Sequence, residues 1–142
     1  MLPLNALFAR QIALLQPSQR DVVEARRHIA GVRGSVARHL RTSVQRVEPI
    51  GSFAKGTSIS AYSDVDLLFV LARKDVNWGG SRISSTSLLE RFRGAISTTY
   101  PATSISRDGQ AVAVRFSRTG VSLDVVPAVE HGKIGPANAY QI

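Results

Sequence analysis

Two carboxylates at the mouth of a short apolar run constrain this chain more than any other feature. Residues 64–71 read DVDLLFVL. A short run of Leu, Phe and Val reads as a buried strand. Strand alternation then puts Asp64 and Asp66 on one face. Two carboxylates side by side repel, and a fold tolerates them when a cation sits between; hard oxygen ligands of this kind suit Mg²⁺. Just upstream lie Gly51-Ser52 and Gly56-Thr57, with Lys55 between them and a polar turn, 58–63, behind. Glycines let the backbone close on an anion, and the Ser52 hydroxyl adds a hydrogen bond. A helix beginning at Ser52 would also turn its free amides toward phosphate. The competing reading is a tight turn followed by a solvated strand end.

A third carboxylate is out of place by composition. Asp124 stands between Leu123 and Val125 in VSLDVVPAVE, an otherwise apolar strand. A buried carboxylate without a partner is very costly. Its partner is either an arginine such as Arg115 on the neighbouring strand or the cation that Asp64 and Asp66 hold.

The remaining elements follow from periodicity. Leu4, Leu7, Phe8, Ile12 and Leu15 predict a short amphipathic helix, which Pro17 ends. Ser18 is a good N-cap for a long helix over 19–41, with Asp21 in its first turn. Gly31 and Gly34 weaken that helix or mark close packing against another element. Its outward arginines (Arg20, Arg26, Arg27, Arg33, Arg38 and Arg41) form either a polyanion surface or a solvated face, and His28 and His39 read as packing or surface residues. Residues 44–50 predict a strand with Pro49 at an edge or end. Residues 73–86 read as a polar loop in which Trp78 anchors the loop or stacks on a base. Ser87 with Glu90 predicts a capped helix that stops at Pro101. A meander follows: a strand over 103–107, a turn at Asp108-Gly109, and strands over 110–116 and 121–129. The tail from Glu130 reads as loop.

At 142 residues the chain is long enough for one domain with a core. Net charge is +8, with fifteen of the eighteen basic residues Arg, which suits nucleoside triphosphates or nucleic acid as partners. No apolar run approaches the ~20 residues of a membrane span, and no secretory signal opens the chain. There is no cysteine, so thiolate metal sites are excluded. A cytoplasmic, non-membrane protein is the expectation. No P-loop and no G-x-S-x-G elbow occurs.

Gly51, Ser52, Gly56, Thr57, Ser63, Asp64 and Asp66 together match the GS…GT…SDxD signature of polymerase-β-like nucleotidyltransferases. The wording GSFAKGTSISAYSDVDLLFVL most resembles the bacterial cyclic-oligonucleotide synthases of anti-phage defence, the CD-NTases, which are related to the oligoadenylate synthetases. LQPSQRDVVEARRHI is similar to the start of the long helix that precedes the motif in that group, and LDVVPA is similar to the context of its third acidic residue. The resemblance covers roughly residues 12–130. It implies an α/β (α+β) palm: a mixed, mostly antiparallel sheet with a long N-terminal helix and helices packed on one face. Asp64, Asp66 and Asp124 become the catalytic and metal-binding residues for two Mg²⁺ ions, with Mn²⁺ as substitute. Gly51, Ser52, Gly56 and Thr57 hold phosphate. Lys55 assists them or faces solvent, and Ser63 caps the turn and orients Asp64. The reaction implied is transfer of a nucleoside monophosphate from ATP or another NTP to a hydroxyl, for signal-nucleotide synthesis. Two alternatives stand beside it: a minimal nucleotidyltransferase that modifies a partner protein or RNA, and a remnant that only binds nucleotide or a partner. The group continues into a helical domain that does not follow within these 142 residues, so the whole chain, 1–142, reads as the palm, with residues 1–16 as its N-terminal helix. An open palm could dimerise through an exposed apolar face.

Overall fold

A computed structural model describes residues 3–15, 19–40, 43–51, 64–78, 81–134 and 137–141. Helices α1 (Leu4–Leu15) and α2 (Gln19–Leu40) lead into strands β1 (Val44–Ile50) and β2 (Val65–Leu71). A 3-10 turn at Arg73–Val76 and a small hairpin, β3 (Asn77–Trp78) with β4 (Ser81–Arg82), precede α3 (Ser85–Thr99). Strands β5 (Ser104–Asp108), β6 (Ala111–Phe116), β7 (Val121–Ile134) and β8 (Ala137–Gln141) complete the chain.

The main sheet runs β1-β2-β7-β6-β5, with β8 also paired to β7. Among the described residues, β2 and β7 pair in parallel and the other strand pairs are antiparallel. The two parallel strands are central and carry the most continuous apolar runs, as strands buried on both faces do. In β2, the side chains of Val65, Leu67, Phe69 and Leu71 enter the main core. From β6 come Val112, Val114 and Phe116, and from β7 Leu123, Val125 and Val129. Helices α2 and α3 cover that face with Ala25, Val32, Val36, Leu89, Phe92 and Ile96. Phe69 and Phe92 meet edge to face, with centroids 5.9 Å apart.

The two helices approach closely because small residues line their contact. A Cβ on Gly31 would fall 2.1 Å from the Tyr100 hydroxyl, so this glycine marks close packing, one of the two readings of its place in the sequence. Ser35 is fully buried between the helices. Its hydroxyl donates to the Ala95 carbonyl oxygen at 2.8 Å and shares a hydrogen bond with the Thr99 hydroxyl at 2.7 Å. A buried hydroxyl is tolerated when bonded in this way. His28 packs as expected: its ring stacks on Phe116 at 3.7 Å and its Nε2 lies 2.9 Å from the Thr119 hydroxyl. In α1, Leu4, Leu7 and Phe8 are exposed.

Four local expectations need correction. The cap of α3 is Ser84, not Ser87: the Ser84 hydroxyl accepts from the Ser87 amide at 3.2 Å, and the helix begins three residues earlier than expected. Glu90 is left for Arg93 and Arg107, which it meets at 3.0 and 2.9 Å. The polar loop over 73–86 contains a helical turn and the β3–β4 hairpin, in which the Trp78 backbone pairs with Ser81. The β5–β6 turn is Gly109-Gln110, because Asp108 pairs with Ala111 and Gly109 has φ +59°. A positive φ at the first loop residue suits a primed hairpin turn. Finally, β7 continues to Ile134 and β8 pairs along it, where sequence patterning reads as loop. A strand that completes its ladder beyond the core needs no apolar alternation to form. The polar HGK at 131–133 and the Gly-Pro pair at 135–136 therefore hide it.

Gly31 and Gly94 give opposite expectations. Nothing lies within 4 Å of a Cβ on Gly94, whereas a Cβ on Gly31 displaces Tyr100. Gly94→Ala should stabilise by about 0.5–1 kcal/mol. Gly31→Ala should destabilise by about 1–3 kcal/mol through overpacking. Urea unfolding of both variants checks the pair.

Candidate functional site

The sheet face opposite the helices carries the candidate residues. Alternation along β2 sends Asp66, Leu68 and Val70 to this face, and along β7 it sends Asp124, Val126 and Ala128. Leu68, Val70 and Ala128 are buried there, with Val126 packed against them. The carboxylates thus stand at one end of a short apolar stripe. The parallel register pairs Asp66 directly with Asp124, on strands about 4.8 Å apart. On its other side Asp66 pairs with Ile50, the last residue of β1. Asp64 lies one residue before β2.

One cation already serves two of the three. The Arg115 guanidinium donates from Nη1 to Asp124 Oδ1 at 3.0 Å, and its Nη2 lies 3.4 Å from Asp64 Oδ2. Arg115 sits on β6, where Ala113 pairs with Asp124, so it reaches diagonally across the ladder. Of the two partners foreseen for Asp124, Arg115 is the one the structure displays. Its simultaneous reach to Asp64 was not foreseen, because it depends on strand order.

Asp66 is left over. Among the described residues it has no ion-pair or hydrogen-bond partner. Burial, then the neighbouring charges of Asp124 and Asp64, push its carboxyl above the usual carboxylate range. A carboxylate destabilised by two like charges on an open face is where a divalent cation gains most. As placed, no three acidic or His side chains among the described residues are gathered closely enough to hold a metal ion together.

Gly51 completes the geometry. It has φ +68°, the left-handed region, and a Cβ there would lie 2.7 Å from Asp66 Oδ2. The residue is therefore glycine for two independent reasons, backbone conformation and proximity to the carboxylate. Ile50 pairing with Asp66 is what brings Gly51 there, and no sequence signal reveals that register. Of the other predicted phosphate-binding residues, Ser52, Lys55, Gly56, Thr57 and Ser63 lie outside the described residues.

Comparison with known proteins places these features in context. The family model described as Second Messenger Oligonucleotide or Dinucleotide Synthetase domain (SMODS) matches residues 3–142. The CBASS oligonucleotide cyclase CdnC of Escherichia coli is 28% identical over 133 residues, which cover 87% of this chain and 41% of that protein. This chain therefore spans less than half the length of the curated relatives it matches. Among solved structures, the Bradyrhizobium diazoefficiens CD-NTase CdnG, in complex with GTP, superposes with a TM-score of 0.71 at 20% identity, over 93% of this chain and 39% of that one. E. coli MS115-1 CdnC, in complex with a HORMA protein, gives 0.63 at 21% identity, over 96% and 45%. The fold is thus the polymerase-β-like nucleotidyltransferase fold, as the sequence implied.

Two outcomes follow from the electrostatics. The raised carboxyl of Asp66 binds its proton more readily folded than unfolded. Its ionisation therefore costs stability as pH rises from its ordinary value of 3.8 through the higher folded value. Asp66→Asn should raise the thermal midpoint of the metal-free protein at neutral pH, and the gain should vanish in acid below that window. Gly51→Ala should destabilise by about 1–2 kcal/mol from the left-handed backbone alone. Thermal scans across pH, with no added metal, check both.

Proposed function

Because the chain belongs to the SMODS family, we propose that it is the catalytic palm of a metal-dependent nucleotidyltransferase. It would transfer a nucleoside monophosphate from an NTP to a hydroxyl, in the synthesis of a signal oligonucleotide. The observation that carries the reading is the in-register pairing of Asp66 with Asp124, with Asp64 beside them and Gly51 against Asp66.

The donor set fits magnesium: three hard carboxylates on one face, one of them without a partner among the described residues. Asp64, Asp66 and Asp124 would hold the ions. Bound Mg²⁺ supplies charge neutralisation at the triphosphate and lowers the pKa of the attacking hydroxyl. The chain's own part is positional. The parallel strands hold two of the carboxylates at a fixed separation, and the helix layer behind them keeps that separation rigid. The backbone at Gly51 can come close to an anion because no Cβ intervenes. Ser52, Lys55, Gly56, Thr57 and Ser63 are assigned to the triphosphate by the signature they share with the family. ATP and GTP are the substrates to try first. Antiviral defence is the setting suggested by the CBASS cyclase relative, and a partner protein is suggested by the complex of E. coli CdnC with a HORMA protein.

Calorimetric titration of ATP and of GTP into the chain, with and without Mg²⁺, tests this. Binding should require Mg²⁺ and weaken at least about tenfold in Asp124→Asn, a loss of about 1.4 kcal/mol. Nucleotide binding indifferent to Mg²⁺ and to Asp66→Asn would instead favour a module that binds nucleotide without turning it over.

A further inference from the structure

The Arg115 guanidinium stands where a metal-binding reading needs room. Its Nη1 and Nη2 occupy one oxygen each of Asp124 and Asp64, from the open face of the sheet. The side chains are partly exposed, 36% for Arg115, 45% for Asp64 and 21% for Asp124. Among the described residues the ion-pair partners of Arg115 are these two carboxylates. More than a third of the Arg115 side chain is exposed to solvent, which leaves it a direction in which to move. Arg115 sits on β6, outside the β2–β7 pair that carries Asp66 and Asp124, so its departure would leave their register intact.

Charge makes the contacts conditional. Three carboxylates and one guanidinium sum to −2 when all are ionised. One guanidinium satisfies Asp64 and Asp124 but leaves Asp66 without a partner among the described residues. A divalent ion placed to reach all three must approach oxygens to about 2.0–2.1 Å. Two of the carboxylates it needs are the ones Arg115 engages, and two cationic centres on the same carboxylates repel.

We propose that Arg115 is a displaceable counter-ion: it bridges Asp64 and Asp124 when the site holds no metal, and it releases at least one of them when a divalent cation binds. The released guanidinium remains beside the site as a forked donor suited to phosphate oxygens of the incoming triphosphate. The bridge thus offsets the repulsion between the two carboxylates in the metal-free protein and gives way to the ion. The inference rests on the reading of Asp64, Asp66 and Asp124 as metal ligands.

Mn²⁺ is the probe, added without nucleotide, with the free ion counted by electron paramagnetic resonance. Arg115→Met keeps the aliphatic stem and removes the competitor. It should bind Mn²⁺ about three- to tenfold more tightly than the parent, the scale of a partly exposed ion pair. It should also melt lower than the parent without metal and gain more in thermal midpoint when Mn²⁺ is added. Arg115→Lys, which keeps the charge but not the fork, should fall between. A measurement on the unsubstituted chain guards against a variant that does not fold: the Arg115 side-chain nitrogen resonances should move on saturation with diamagnetic Mg²⁺. Asp66→Asn separates the two levels of inference, since Arg115 does not touch Asp66. If Asp66→Asn weakens Mn²⁺ binding but Arg115→Met leaves it equal or weaker, the displacement is overturned and the metal site stands. Arginine resonances unmoved by Mg²⁺ would overturn it likewise. If the parent binds no Mn²⁺, or Asp66→Asn changes nothing, the metal reading falls and the displacement with it.

Discussion

The parallel pairing of β2 with β7 is the constraint on which the rest of the structure depends. It brings Asp66 level with Asp124, residues far apart in the chain, and it does so between two strands whose apolar runs bury both faces. A parallel pair cannot be closed by a tight turn. The connection here carries α3 and the β5–β6 hairpin, and these supply half of the helix layer and the strand that holds Arg115. The core and the acidic cluster are therefore two consequences of one register. Slipping that register by one residue would send every β7 side chain to the other face. Asp124 would enter the core and Leu123 would leave it.

That arrangement accumulates like charge, and the structure meets it with two devices. Arg115 spans Asp64 and Asp124. Gly51 gives Asp66 space that any side chain would take. Neither device removes the destabilisation of Asp66, whose carboxyl remains raised by burial and by its neighbours. Under the proposed function, that remaining tension is what a bound cation would relieve. The scaffold is the stable part. Ser35 and Gly31 draw α2 against α3, and Phe92 and Ile96 are fully buried beneath them.

Much of this was legible from residue order, and the lapses have definite physical causes. The buried strand at 65–71, the long helix, the edge position of Pro49 and the oddity of Asp124 all follow from periodicity and composition, which report local burial. The helix cap lies at Ser84 rather than Ser87 because SRISSTS offers several hydroxyls and only backbone geometry chooses among them. The extension of β7 and the presence of β8 are not legible in the sequence because a ladder beyond the core is held by backbone bonds, which leave little mark on side-chain pattern. The Gly109-Gln110 turn was placed one residue early for a related reason: the pairing of Asp108 with Ala111 sets which two residues remain unpaired.

Residue order by itself determined the family and singled out the candidate carboxylates: which ones, on strands, downstream of a Gly-Ser and a Gly-Thr pair, in a chain with a family's signature. These are properties of types and spacings within a dozen residues, where covalent geometry does the arranging. Tertiary structure alone decided who neighbours whom. Asp66 beside Asp124, Gly51 against Asp66, and one arginine shared by Asp64 and Asp124 all arise from strand order and register. Those follow from how the whole core closes. Coulomb forces fall with distance, so the charge state of the site belongs to the fold rather than to any stretch of the chain.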